Sequence, residues 1–137
     1  MIVNIFKKIS PEWVLRIGLG LTYLYSGVGL FNQPALWRSF LPIWYAKFVA
    51  VVLPVETYLR LQGVVEVVLG FLFLAWLSGK WGVKIASAYM MLEMAFILIF
   101  VGIDLITFRD IGLLAAAATL LLITSFPAQP EELSNKK

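Results

Sequence analysis

Two glutamates and one arginine interrupt long apolar segments of this chain, and their chemistry needs an explanation. Glu66 lies within LQGVVEVVLGFLFLAWL, Glu93 within IASAYMMLEMAFILIFVGI, and Arg16 within WVLRIGLGLTYLYSGVGLF. A charged side chain at the centre of a bilayer costs about 2.5–3.5 kcal/mol on insertion scales, so such residues usually pair, face a cavity or have a function. Buried carboxyl groups can hold a ligand head group or transfer a proton. The structural alternatives are a carboxyl group kept neutral by desolvation, or an ion pair with an arginine that only fixes helix register.

Further polar residues share helix faces with these carboxyl groups. Residues three or four apart lie on one face of a helix, so Gln62 shares a face with Glu66, and Tyr89 with Glu93. We expect these faces to turn towards each other inside the protein. The predicted ligand-binding residues come from these faces, from the first apolar segment and from the start of the last one: Glu66, Gln62, Glu93, Tyr23, Ser26, Arg109, Asp110 and Arg16.

Three members of this set have simpler explanations. Arg16 can extend towards the membrane surface or pair with Glu12, four residues earlier on the same helix. Arg109 and Asp110 lie beside Asp104 at the end of an apolar segment, where charged side chains are common as solvated groups or helix caps. These roles are alternatives to ligand binding.

Residue types that the chain lacks exclude most catalytic and metal sites. It contains neither histidine nor cysteine, which excludes Ser–His–Asp catalysis, Cys–His catalysis and thiol–disulfide exchange. The same absence excludes iron–sulfur clusters, ordinary haem ligation and the usual zinc sites. We predict no catalytic residue and no metal ligand. Two carboxyl groups could still do acid–base chemistry at a suitable separation, so enzyme activity stays open but is not expected of the chain alone.

Long apolar helices are needed to position these residues. Hydrophobic residues make up 61% of the chain and the mean hydropathy is +0.91, values outside the range of soluble globular proteins. Segments long enough to cross a hydrocarbon core of about 30 Å are residues 12–31, 57–77, 81–103 and 107–126. We predict an all-α integral membrane four-helix bundle that forms one domain, residues 1–126, followed by a polar C-terminal tail, residues 127–137.

The connection between the first and second spans, residues 33–56, is long and apolar. It contains ALWRSFLPIWYAKFVAVVLP, in which two prolines interrupt apolar runs that are too short to cross a bilayer. Aromatic residues mixed with basic ones are typical of a helix that lies in the head-group region. We therefore predict an interfacial helical segment. The alternative is a lid or re-entrant wall over a cavity between the spans.

Small residues show where helices could approach each other closely. Gly20 and Gly27 lie on one face of the first span, and Gly63 and Gly70 lie on one face of the second. A third face, on the fourth span, consists of Gly112, Ala115, Ala116 and Thr119. We expect these faces to pack in a compact bundle, and an oligomer is an open alternative.

The distribution of charge predicts orientation and partners. The net charge is +3, but the basic residues flank apolar segments and form no single stripe, so we expect a lipid bilayer and no nucleic acid as partner. Seven basic residues would share the side of the termini, namely Lys7, Lys8, Arg16, Lys80, Lys84, Lys136 and Lys137. Four would lie on the other side, namely Arg38, Lys47, Arg60 and Arg109. This bias predicts cytoplasmic termini.

Four stretches of the sequence resemble the DoxX family of small four-helix membrane proteins. In chain order they are RIGLGLTYLYSG, NQP, GVVEVVLGFLFL and FRDIGLLAAAATLLL, and together they extend over residues 16–123. The resemblance implies a bundle in the bacterial or archaeal inner membrane and an association with oxidoreductase systems. It also implies a polar set made of Arg16, Glu66, Arg109 and Asp110.

The chain departs from that family in two respects. Many relatives have a lysine near Gly29 or Leu30, and redox-linked relatives often have cysteines; this chain has neither. Direct electron transfer is therefore not expected, and a redox role would require a partner or a bound quinone.

Two functional hypotheses follow. The first is a noncatalytic subunit or accessory protein of a membrane oxidoreductase or other membrane complex. The alternative is a binding protein for a small lipophilic molecule, such as a quinone or an isoprenoid, in an inter-helix cavity around Glu66. Proton or solute transport is a third and weaker hypothesis. The sequence shows no pair of broken helices related by an inverted repeat, as many transporters have.

Overall fold

A computed structural model describes residues 10–126, and helices dominate this part of the chain. The α-helices are α1 (Pro11–Asn32), α2 (Pro34–Trp37), α3 (Ile43–Val52), α4 (Val55–Leu74), α5 (Gly79–Phe100) and α6 (Phe108–Ser125). Short 3₁₀ turns occur at Arg38–Phe40 and Trp76–Ser78. The predicted C-terminal tail and four of the basic residues used to predict orientation (Lys7, Lys8, Lys136 and Lys137) lie outside the described residues.

Four of these helices are long and apolar enough to cross a membrane. α1, α4, α5 and α6 contain 22, 20, 22 and 18 residues, which correspond to lengths that cross or nearly cross the hydrocarbon core. Large apolar side chains cover their outer faces; Tyr25 is 82% exposed and Leu92 is 73% exposed, as expected of residues that contact lipid. The prediction of an all-α four-span membrane protein is confirmed, and α3 is the predicted shorter apolar helix between the first and second spans.

The turn between α4 and α5 differs from the expected boundaries. α4 ends at Leu74 because Ala75 is extended, with φ −69° and ψ 124°. A 3₁₀ turn then leads to Gly79, whose φ of 59° is a conformation that glycine adopts without steric cost. α4 therefore ends three residues before the predicted boundary at residue 77, and α5 begins two residues before the predicted start at residue 81.

Glycines allow α1 and α4 to pack with their backbones in contact. A Cβ atom added to Gly63 would lie 2.6 Å from the carbonyl oxygen of Gly27, and one added to Gly70 would lie 3.1 Å from that of Gly20. Pairs 20/70 and 27/63 run in opposite directions along the two helices, so α1 and α4 are antiparallel. The predicted meeting of these two faces is confirmed.

The small-residue face predicted on the fourth span does not pack in this way. Among residues 10–126, no atom lies within 4 Å of a Cβ added to Gly112, and Ala115 and Thr119 are exposed. Only Ala116 is partly buried and packs against the core. The spacing correctly identifies a small-residue face, but most of it points away from the other described helices.

The core consists of two apolar clusters. The larger one joins all four spans: Leu19, Tyr23, Leu69, Phe73, Val83, Ala86, Met90, Met94, Ala117 and Leu120. The smaller one lies where α3 packs against α1 and α4: Leu30, Val49, Val55 and Leu59. Within the bundle, α1 makes its most extensive contacts with α4, and α5 with α6.

Arg16 closes the C-terminal end of α4. Its guanidinium is buried, and it donates hydrogen bonds from Nε to the carbonyl oxygen of Phe73 (2.7 Å) and from Nη2 to that of Ala75 (2.8 Å). The last carbonyls of a helix lack partners within the helix, and a cation there also suits the helix dipole. The predicted ion pair with Glu12 is present at 3.4 Å, and the Trp13 ring lies 4.2 Å from the guanidinium carbon.

Asp104 organises the loop that leads into α6. Its Oδ1 accepts hydrogen bonds from the backbone N–H groups of Ile106 (2.7 Å) and Thr107 (2.8 Å). Since these bonds favour the ionised form, they hold the pKa of the Asp104 carboxyl below its ordinary value of 3.8. The Thr107 hydroxyl completes the loop by donating to the carbonyl oxygen of Gly102 at 2.7 Å.

This arrangement predicts an acid-sensitive contribution to stability. A carboxyl with a lowered pKa stabilises the folded protein above its ordinary value of 3.8 and loses this contribution as the pH falls through the lower, folded-state pKa. We expect Asp104→Asn to remove this part of the pH dependence and to lower Tm at neutral pH. Unfolding curves in mild detergent between neutral and acidic pH measure both effects. The exposed Glu56→Gln is the control, and equal curves for the two variants would contradict the role given to Asp104.

Candidate functional site

A cavity of about 330 Å³ lies between the spans. Its lining residues come from both apolar clusters, with Met90 and Met94 from the larger and Leu30 and Leu59 from the smaller. Its volume is within the usual range for small-molecule sites, about 300–1,000 Å³. The cavity therefore lies at the junction of the two clusters, where α1, α4 and α5 carry the polar residues described below.

Two carboxyl groups form the polar wall of the cavity. Glu66 is only 4% exposed and accepts a hydrogen bond from the Ser26 hydroxyl on α1. Glu93 Oε2 accepts one from the Tyr23 hydroxyl at 2.5 Å. Both carboxyl groups line the same cavity between the spans. Burying two carboxylates without a cationic partner is costly, so we expect the pair to hold at least one proton.

Gln62 connects this pair to a tyrosine. Its amide Nε2 donates to Glu93 Oε1 at 2.7 Å and to the Tyr89 hydroxyl at 2.8 Å. The Tyr89 hydroxyl in turn donates to Gln62 Oε1 at 3.0 Å. The faces predicted from helical spacing, Gln62 with Glu66 and Tyr89 with Glu93, thus meet across α4 and α5 in one network.

Aromatic residues form another part of the wall of this cavity. The Tyr45 and Tyr58 hydroxyl groups lie 3.1 Å apart, and the Tyr45 ring packs edge-on against Phe96 with centroids 5.4 Å apart. Trp44 continues this contact to Phe100, with centroids 5.5 Å apart. These rings attach α3 to α4 and α5.

The segment between the first two spans therefore contributes to the cavity. Trp37, Phe40, Leu41 and Tyr45 line it, which favours the wall hypothesis over a segment that only rests at the interface. Sequence reasoning omitted Tyr45 and Tyr58 from the site. Tyr58 could have been predicted from helical spacing, because it lies one turn before Gln62 on the same face of α4. Tyr45 could not, because its place in the site depends on how α3 packs.

Arg109 and Asp110 lie at the edge of the cavity. Asp110 is 3% exposed, and its Oδ1 lies 3.6 Å from Nε of Arg109, whose side chain is 55% exposed. Arg109, Trp37 and Phe40 line both the cavity and a groove on the outer surface of α1, α2 and the start of α6. The cavity thus adjoins a surface that the apolar residues of α1 share with lipid.

The cavity brings together seven of the eight predicted ligand-binding residues, namely Glu66, Gln62, Glu93, Tyr23, Ser26, Arg109 and Asp110. Arg16 lies elsewhere, at the opposite end of α4, where it binds backbone carbonyls. Ligand binding by these seven residues stays a prediction, because their proximity defines a cavity but does not identify a ligand.

In comparisons with known proteins, no family model, curated protein or solved structure matches this chain. Membership of the DoxX family therefore stays a prediction based on short motifs. The fold itself establishes a four-span integral membrane protein with a carboxyl-lined cavity between its helices.

Proposed function

We propose that this protein binds a small amphiphilic molecule in the cavity between its spans. The observation that carries the proposal is that Glu66, Glu93 and a cluster of aromatic rings line one cavity. Such a site offers hydrogen bonds at one end and apolar contact at the other, as small-molecule sites usually do. A quinone or an isoprenoid belongs to this class of ligand, and the cavity needs no partner protein to form its walls.

The free-energy cost of burying the Glu66 and Glu93 carboxyl groups in a membrane bundle supports a binding role. Carboxyl groups inside a membrane bundle are unfavourable compared with apolar side chains of similar size, even when they are hydrogen-bonded. The contact between α1 and α4 does not depend on them, because the Gly27–Gly63 and Gly20–Gly70 approaches already join these two helices. A ligand that uses the carboxyl groups would explain their presence.

The surroundings of the cavity support a ligand that comes from lipid. The adjoining groove is lined by Leu21, Tyr25 and Val28 on the outer face of α1, which are exposed where lipid would lie. A lipophilic molecule could therefore enter past Arg109 without crossing water.

The second candidate is a noncatalytic subunit of a membrane complex, such as the oxidoreductase association that the DoxX resemblance implies. The exposed small-residue face of α6 favours it, because Gly112, Ala115 and Thr119 would allow another helix to approach closely. That helix could belong to a partner or to a second copy. We place either assembly in the inner membrane with cytoplasmic termini, as the charge bias and the resemblance predict.

Native mass spectrometry of protein extracted from its own membrane in mild detergent tests the first candidate. We expect the wild type to retain a small molecule, and Glu66→Gln to lower its occupancy about tenfold or more, as the loss of a hydrogen bond to a charged group would do. Glu56→Gln, on the exposed first turn of the same helix, should match the wild type.

Unchanged occupancy in a folded Glu66→Gln variant would remove Glu66 from the site. A stoichiometric protein partner together with an empty cavity would favour the subunit role instead. The same spectrum distinguishes the two results by mass.

A further inference from the structure

We infer that the ligand is a lipophilic amine, bound as a cation in exchange for a proton held by the carboxyl groups of Glu66 and Glu93. This inference rests on the proposed binding function and narrows it to one class of head group. It follows from the hydrogen-bonding capacity left over in the cavity, from the charges that line it, and from its aromatic wall.

Around the carboxyl groups, the side-chain donors are already engaged and the carboxylate oxygens keep spare acceptor capacity. The hydroxyl pair of Tyr45 and Tyr58, elsewhere in the lining, uses one of its two protons within the pair. Tyr23 and Ser26 each have one hydroxyl proton, and both donate to a carboxyl group. Both amide protons of Gln62 and the hydroxyl proton of Tyr89 are also engaged. Carboxylate oxygens can accept more than one bond. A ligand head group that meets this wall must therefore donate, which favours an ammonium or a hydroxyl over a quinone carbonyl.

The charges that face the cavity favour an ammonium over a hydroxyl. The titratable and charged residues that line it on α1, α3, α4, α5 and α6 are Tyr23, Tyr45, Tyr58, Glu66, Tyr89, Glu93, Arg109 and Asp110. Three of these are carboxyl groups, and one is a cation. That cation, Arg109, extends outward and is already paired with Asp110. Within the described residues, Glu66 and Glu93 have no cationic side chain as a hydrogen-bond or ion-pair partner.

The aromatic part of the lining suits an organic cation. Ammonium groups are attracted to the faces of tyrosine and phenylalanine rings, and Tyr45, Tyr58 and Phe96 line the same cavity as the carboxyl groups. A bare metal ion would need more oxygen ligands, and the described residues contain no group of three candidate metal-binding side chains. An amine with an apolar body satisfies both walls.

The exchange conserves charge. One monovalent ammonium enters, and one proton leaves the carboxyl pair for solvent, so the net charge of the cavity does not change. The site therefore avoids the large cost of burying an uncompensated charge. Linkage then requires that affinity rise with pH, by up to about tenfold per pH unit where the empty site holds the proton and the ligand remains charged.

Three probes with one apolar body and different head groups test the inference: phenylbutylamine, phenylbutanol and phenylbutyrate. Isothermal titration calorimetry of the full chain in mild detergent, with empty micelles subtracted, measures each affinity. We expect the amine to bind at least about tenfold more tightly than the alcohol and the acid not to bind measurably. Repeating the amine titration in buffers of different ionisation enthalpy should show about one proton released per amine bound.

Glu93→Gln and Glu66→Gln should each lower amine affinity and abolish proton release, while Glu56→Gln should change neither. The comparison of the three probes on the wild-type protein remains a valid test even if a cavity variant fails to fold. Equal affinity for amine and alcohol, or amine binding without proton release, would overturn the inference and leave the proposed function intact. Failure of all three probes to bind the wild type would count against both proposals.

Discussion

The Gly63→Ala variant is expected to lose about 3 kcal/mol of stability, because the added methyl group overpacks a contact between two backbones. The new Cβ would lie 2.6 Å from the carbonyl oxygen of Gly27 and 2.9 Å from the backbone nitrogen of Phe31. Backbone atoms cannot rotate aside, so α1 and α4 would have to separate. Gly27→Ala should behave in the same way, since its Cβ would lie 2.7 Å from the carbonyl oxygen of Gly63.

The chain offers matched controls for this prediction. A Cβ atom at Gly18 on α1 or at Gly112 on α6 would have no atom of the described part of the chain within 4 Å, and alanine is favoured over glycine in a helix interior by about 1 kcal/mol. Thermal unfolding in mild detergent, followed by circular dichroism, should therefore distinguish the two variants. Gly63→Ala lowers Tm, and Gly18→Ala leaves Tm unchanged or raises it. Equal shifts in the two variants would disprove a packing role specific to Gly63.

Replacing Arg16 should have an effect of similar size for a different reason. Arg16→Met keeps much of the side-chain volume but leaves the carbonyl groups of Phe73 and Ala75 without their donors at the end of α4. The loss of two hydrogen bonds from a charged donor predicts a stability decrease of about 3 kcal/mol. Unfolding by heat or denaturant in detergent measures it, with the exposed Arg60→Met as control.

A measurement of ligand affinity distinguishes this structural role of Arg16 from the ligand-binding role that the sequence predicted. If Arg16 acts only at the end of α4, a folded Arg16→Lys variant should lose some stability yet bind the amine probe with wild-type affinity. A weaker affinity in that folded variant would return Arg16 to the site.

The polar faces were predictable because helical spacing is a property of a single helix. Residues four apart share a face wherever the helix lies, so Gln62 with Glu66 and Tyr89 with Glu93 could be paired before any fold was known. The partners across helices could not, because the hydrogen bond of Ser26 with Glu66 depends on how α1 is rotated and shifted against α4. Here the two glycine contacts fix that register.

Arg16 shows where spacing misleads. It lies on the same helix as Tyr23, which lines the cavity, so the sequence placed both in one site. Its true partners are carbonyl groups released where Ala75 becomes extended, and the apolar sequence around residue 75 gave no sign that α4 would end there. The aromatic wall was missed for a related reason, since Tyr45 and Tyr58 meet only after α3 folds against α4.

The arrangement of the spans in two close pairs has a consequence for motion. α1 with α4 forms one pair and α5 with α6 the other, while hydrogen bonds from Tyr23 and Gln62 to residues of α5 join the pairs across the cavity. Packed helices can slide as rigid bodies when the bonds between them exchange. A ligand that takes over the Glu93 contacts would remove these hydrogen bonds and leave the apolar cluster that all four spans share as the contact between the two halves. Occupancy of the cavity would therefore lower the resistance of the two halves to shear.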